Sequence, residues 1–349
     1  MAYTTINKSG DYFNTKLYTG NGSTQSITGV GFQPDFVWLK QRSSGVYYHR
    51  LQDSVRGAGK PIYSNRTDAE GDFGTGTTGS IRTFDTDGFS IGSDAGSNDN
   101  NVTMASWNWK ANGAGSSNTD GSITSTVSAN TTSGFSIGTY TGTGSNATIG
   151  HGLGATPSVI FVKKRNSSGD WNSFHNSLGN TGAMQLDHTG AFYTHSTIWN
   201  NTSPTSSVFS VGTWLYTNNS SDTYVFYAFA EKTGYSKFGS YTGNGNAEGP
   251  FIYTGFKPAF VITKSYSGYD GYWTTHDSTR NTSNVSTMAA LWANSTDAES
   301  NAYGFDLLSN GFKIRETSAT LNQSGASYLY MAFAEAPLVG TNGVTAKAR

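Results

Sequence analysis

The chain has 349 residues, 13% charged and 14% aromatic, with 43 glycines, no cysteine and a formal net charge of −1. With no basic surplus, duplex nucleic acid held by phosphate neutralisation is excluded as a partner. The missing cysteine excludes disulfide staples and thiolate-held zinc or iron–sulfur centres.

The polar start, Met1 to Tyr12, carries no apolar signal core, so Sec-type export is not expected. No apolar window is long enough for a spanning helix, so no membrane insertion is expected. The first patterned element is Tyr18-Thr19-Gly20-Asn21-Gly22, followed by the apolar run Pro34-Asp35-Phe36-Val37-Trp38-Leu39-Lys40. Then come Asp53-Ser54, a strand start at Gly88-Phe89-Ser90-Ile91, and the alternating strand Met104-Ala105-Ser106-Trp107-Asn108-Trp109-Lys110. The same order recurs as Tyr140–Gly144, Pro157–Lys163, Asn176-Ser177, Val208–Gly212 and Tyr227–Glu231. A third set is Tyr241–Gly245, Pro258–Lys264, Asp277-Ser278, Gly311–Ile314 and Met331–Glu335. The interval from proline to Asp or Asn is 19 residues in every copy. Such self-similarity is the signature of a repeated structural unit.

Short runs rich in Val, Ile, Phe, Tyr and Trp, bounded by Gly, Asn, Asp and Pro, predict strands and turns. The expected fold is all-β: three tandem concanavalin-like or jelly-roll β-sandwich modules, since strand faces of small modules are buried sheet against sheet. The boundaries are residues 1–113, 134–234 and 235–339, with a Gly/Ser/Thr-rich linker at 114–133 and a tail at 340–349. The linker is expected to be flexible or to lay a short strand on a neighbour. Modules two and three join without a spacer and are expected to move as a unit, the first being more independent. Tyr224 to Phe229 is apolar on both faces, which predicts a central strand or one packed on another module. A short helix is expected at Val285–Asn294.

No cofactor and no dedicated metal site are expected. Glu70, Glu231, Glu248, Glu299, Glu316 and Glu335 include no close pair suited to glycosidic cleavage, and the six histidines show no zinc-ligand spacing. His175-Asn176-Ser177 and His276-Asp277-Ser278 resemble triad fragments, but neighbours on a strand face opposite ways, so a recurring turn explains them better. Asp53 with Arg56 and Asp277 with Arg280 are expected to pin loops as ion pairs. Asp85, Asp87 and Asp94 flank a Gly-rich turn and form a loop to be weighed for calcium. Trp171, Trp199, Trp214, Trp273 and Trp292 lie among Gly, Asn, Ser and Thr, which makes them carbohydrate-stacking candidates, or aromatic caps on small cores. Trp38, Trp107 and Trp109 are expected in the core.

Trp107-Asn108-Trp109-Lys110-Ala111-Asn112-Gly113, Asn118 to Thr124, Gly134 to Ile137 and Ile149 to Pro157 resemble a module of uncharacterised function in virion proteins of marine tailed phages. Pro34 to Lys40 and Asp53 to Gly57 look like its opening half, and Asn108 stands where relatives often carry Cys. The resemblance implies a β-sandwich on a phage particle and carries over no catalytic residue. The expected protein is therefore a non-enzymatic virion component assembled in the host cytoplasm. It would be a tail, fibre or appendage part that helps attach to host-surface polysaccharide, or alternatively a ligand-free capsid decoration protein. A polysaccharide-degrading enzyme is the third reading. Other virion proteins and copies of the same chain are the expected partners.

Overall fold

A computed structural model describes residues 4–339; the tail at 340–349 lies outside the described residues. Alternating apolar and polar positions give short antiparallel strands throughout, and the only α-helices among the described residues are single turns at Ala95–Asn98, Leu215–Asn218 and Ala319–Asn322. The protein is all-β.

Three large sheets follow one strand plan. In the first, Phe13–Thr19 pairs with the closing strand Thr103–Trp109, which pairs with Phe36–Gln41, then Arg50–Asp53. In the second, Phe135–Thr141, Thr223–Phe229, Val159–Lys164 and Asn172–His175 take those places. In the third they fall to Ser236–Thr242, Ser327–Pro337, Phe256–Ser267 and Thr274–Asp277. Each large sheet covers a smaller one, built on Gln25–Thr28 with Gly88–Ile91, on Ala147–Gly150 with Val208–Val211, and on Phe251–Tyr253 with Gly311–Ile314. The proline before each apolar run sits where no ladder donor is needed; Pro258 falls at a register shift inside its strand.

The pleat sends alternate residues to two different cores. On one face, Val37 and Leu39 pack with Ile27, Phe89 and Ile91. Ile160, Val162, Tyr224 and Phe226 likewise pack with Ile149 and Phe209, and Val261, Tyr328 and Tyr330 with Ile252 and Phe312. On the opposite face, Phe36, Trp38, Trp107 and Trp109 join Phe161, Tyr227, Phe229, Phe260, Met331 and Phe333 in one core shared by all three repeats. Phe36 lies 4.4 Å from Tyr227, Trp109 5.9 Å from Phe260, and Phe229 5.7 Å from Phe333, ring centre to ring centre. Where these rings meet, a void of about 20 Å³ is lined by apolar side chains alone. The central place expected for Tyr224 to Phe229 is observed, with one face in each core.

Two expectations are corrected and one open alternative is resolved. The first repeat is not more independent than the others, because its tryptophans are buried in the shared core. For segment 114–133 the second of the two expected alternatives, a strand laid on a neighbour, is observed. Ser116–Asn118 and Ser125–Asn130 extend the second large sheet, and Ile123 forms a parallel bridge to Ile149. Met288–Trp292, placed in a helix by sequence, is a buried strand paired with Thr274–Asp277, its β-type burial outweighing local helix propensity.

The Tyr-Thr-Gly motif has a structural cause. Tyr18, Tyr140 and Tyr241 donate to the carbonyls of Ser97, Thr217 and Leu321 in the three single-turn helices, at 2.7, 2.5 and 2.9 Å. A Cβ on Gly20, Gly142 or Gly243 would collide with the backbone oxygen of Asp99, Asn219 or Gln323. Asn98, Asn218 and Asn322, all fully buried, clamp the following loop by accepting from the amides of Asn21, Thr143 and Asn244.

Candidate functional site

The five tryptophans proposed for sugar stacking do not form a platform. Trp171, Trp199, Trp273 and Trp292 are buried, and only Trp214 is half-buried, tilted against His195 at 4.2 Å. The physical reason is packing that the sequence neighbours do not show: the preceding repeat covers Trp171 and Trp273, and Trp199 packs in its own repeat's outer core, donating to the Gly182 carbonyl at 3.0 Å. Trp171 Nε1 donates to the Tyr63 carbonyl of repeat one at 2.8 Å, and Trp273 Nε1 to the Gln185 carbonyl of repeat two at 2.9 Å. In repeat one the equivalent residue is His49. It accepts from Trp38 Nε1 at Nδ1 (2.8 Å), which leaves Nε2 to donate to the Trp292 carbonyl of repeat three (2.9 Å). The three contacts close a ring.

A second ring is made by lysines. Lys40, Lys163 and Lys264 are fully buried and donate to the carbonyls of Thr296, Thr67 and Thr189 in the adjacent repeat, at 2.8, 2.8 and 2.9 Å. Burial pulls all three ammonium groups below the usual lysine range, Lys40 and Lys264 to about 8. Two of the three interfaces add guanidinium–carboxylate triads. Glu70 lies between Arg56 and Arg165, and Glu299 between Arg280 and Arg42. Burial raises both glutamates, but the paired arginines outweigh it and leave them below the usual range.

The Asp–Arg pairs read from sequence are present and wholly buried. The constant 19-residue interval does not mark equivalent positions in repeat two, however. Phe36 pairs with Asp53 and Phe260 with Asp277, but Val159 pairs with His175 rather than Asn176, because that hairpin is one residue shorter. His175 Nδ1 accepts from the Ser177 amide at 3.1 Å, as Asp53 and Asp277 accept from Val55 and Thr279. Each of the three also reaches the next repeat: Asp53 to the Tyr227 hydroxyl, Asp277 to Trp107 Nε1, His175 to the Tyr330 carbonyl. The calcium candidates do not converge: Asp87 accepts from the amides of Gly29 and Gly31, while Asp94 pairs with Arg50.

One further cluster of ionisable groups lies beside these ties, within electrostatic reach of Lys163. Asp170, Asp187 and His188 bring ligand-type atoms within 4.8 Å of one another. Asp170 precedes the buried Trp171, and the aspartate and histidine lie in the loop that crosses it. Asp170 Oδ1 is 3.4 Å from His188 Nε2, and Asp170 Oδ2 accepts from Gln185 Nε2 at 2.8 Å. Asp187 Oδ1 accepts from the Trp171 amide at 3.2 Å. Burial pushes the Asp187 carboxyl up. The structure brings Asp170 to Asp187 and His188, while His195 sits on Trp214. The 17-residue gap from Asp170 to Asp187 gave no motif to find it by. The lysine ring did have a signal, a lysine at the end of all three aligned apolar runs.

Fold and site together define an all-β protein of β-sandwich character whose recurring polar residues hold repeats to one another. The chain belongs to the family described as Domain of unknown function (DUF7483), whose model matches residues 8–337 and so spans all three repeats. No curated protein matches it.

Proposed function

We propose that this protein is a non-enzymatic structural component of a tailed-phage virion, displayed on the particle as a tail, fibre or appendage part that helps attach it to host-surface glycan. The observation that carries the reading is the Trp107–Gly113 string with its following segment, Asn118 to Thr124, which resembles the phage virion module. In the structure these residues form the closing strand of repeat one and the strand-bearing connection to repeat two. The architecture supports it: we read the chain as three jelly-roll-like sandwiches joined through their inner sheets, a frame that holds Gly-, Asn- and Ser-rich loops in fixed places. Asp53 bonds Arg56 and the Tyr227 hydroxyl, and Asp277 bonds Arg280 and Trp107, which fits a frame better than a reaction centre. Assembly is with other virion proteins and with further copies of this chain. Capsid decoration is the second reading, favoured by the absence of heptad or collagen-like repeats from the sequence.

Labelled antibody against the protein, imaged on intact virions, tests the location. Label on the tail or its appendages is expected; label confined to the head overturns attachment in favour of decoration. Any stacking on sugar must use rings that reach solvent, so a glycan-binding screen should respond to Trp214→Ala or to replacement of the exposed Tyr253. Release of reducing sugar from host polysaccharide, lost on replacing a single Glu, would overturn the non-enzymatic reading.

A further inference from the structure

We infer that Asp170, Asp187 and His188 form a binding site for one divalent transition-metal ion of the Zn²⁺ or Mn²⁺ kind. The first ground is convergence: two carboxylates and an imidazole present ligand atoms within 4.8 Å of one another. One nitrogen and two oxygens suit these ions, and the exposed His188 side leaves coordination positions open to water.

The second ground is an orphaned atom. Asp187 Oδ2 is out of contact with solvent and accepts no hydrogen bond. Asn294 Nδ2, at the same place in repeat three, is orphaned as well, but only in repeat two is the orphan a carboxylate oxygen, whose cost a bound cation removes.

The third ground comes from the repeats themselves. The place of Asp187 is set by its acceptance from the Trp171 amide. Asn65 accepts from the His49 amide at 3.2 Å in repeat one, and Asn294 from the Trp273 amide at 2.9 Å in repeat three. The frame therefore needs an acceptor there, not a charge. Asp170 stands where the other repeats have Tyr48 and Tyr272, and His188 where they have Arg66 and Ser295. All three ligand-type residues occur together in one repeat and at none of these positions in the other two. Compensation of buried Lys163 does not explain them. Lys40 and Lys264 are buried just as deeply and have one aspartate each in electrostatic reach, Asp297 and Asp270, with asparagine at the position of Asp187; Lys163 has Asp68 in reach besides Asp170 and Asp187.

The experiment is calorimetric titration of the chelator-treated full chain with Zn²⁺, Mn²⁺ and Ca²⁺ separately, alongside thermal melts. Saturable one-to-one binding of Zn²⁺ or Mn²⁺ and a raised melting temperature are expected. Asp187→Asn copies the residue of the other repeats, so it should melt like the metal-free wild type yet bind at least ~10-fold more weakly. His188→Ala should weaken binding comparably and alter the visible spectrum of the Co²⁺ form. Binding unchanged in both variants, no binding at millimolar metal, or Ca²⁺ bound in preference to the other two would each overturn the site.

Discussion

The shared core and the three outer cores are built by the same strands, yet they do different jobs. The outer cores, such as Ile149 with Phe209 and Phe226, close one repeat on itself. The inner core takes Trp107 and Trp109 from repeat one, Tyr227 and Phe229 from repeat two, and Phe260 and Phe333 from repeat three. The period-2 alternation of one strand thus decides both local folding and the union of the repeats. Stability of the inner core should be global, and that of an outer core local.

The largest expected effect breaks the inner core. Trp107→Ala should cost about 3–5 kcal/mol and leave Asp277 without its indole donor. Hydrogen exchange should then quicken in all three repeats; quickening confined to repeat one would show that the core does not couple them. Asp53→Ala comes next, removing the carboxylate that holds the fully buried Arg56 and the Tyr227 hydroxyl. Its cost should be about 3 kcal/mol, read as a lower denaturation midpoint that unfolds repeats one and two together.

Acid should weaken both regions, with a smaller effect per pH unit. Burial holds His175, at a repeat junction, down to about 4, and holds His276, stacked on Phe305 within repeat three, down to about 3, with Arg280 adding to the latter shift. Both stay neutral in the folded chain while the unfolded chain takes up protons below about 6.5. Their contribution to stability is therefore intact above that pH and falls as pH drops toward 4 and 3. In the steep part the loss is about 1.4 kcal/mol per pH unit for each histidine. Urea midpoints between pH 7 and 4 should flatten by one histidine's share in His175→Gln; an unchanged slope would show that this site does not sense acid. The smallest effect is expected in an outer core. Ile149→Val should cost about 0.5–1.5 kcal/mol, with faster exchange limited to repeat two.

Much of the fold was legible because strands announce themselves locally. The Pro-led runs, the alternating closing strands and the Tyr-Thr-Gly turns all appear at the expected positions. What was not legible depended on which repeat lies against which residue. Trp171 and Trp273 stand among small polar residues in sequence, and only the fold shows that loops of the preceding repeat cover them. Asp170 and Asp187 likewise meet only because the hairpin folds one over the other. The spacing shared by Asp53 and Asn176 misled, since a one-residue shorter hairpin moved the role to His175.

The two rings of Trp/His and Lys contacts run from repeat one to three, from two to one and from three to two. An open array of repeats has ends, can gain or lose a unit, and frays from its termini. A closed circuit has no terminal unit to spare. Deleting one repeat would leave two raw faces that cannot meet, so the number three is fixed by geometry rather than by gene length.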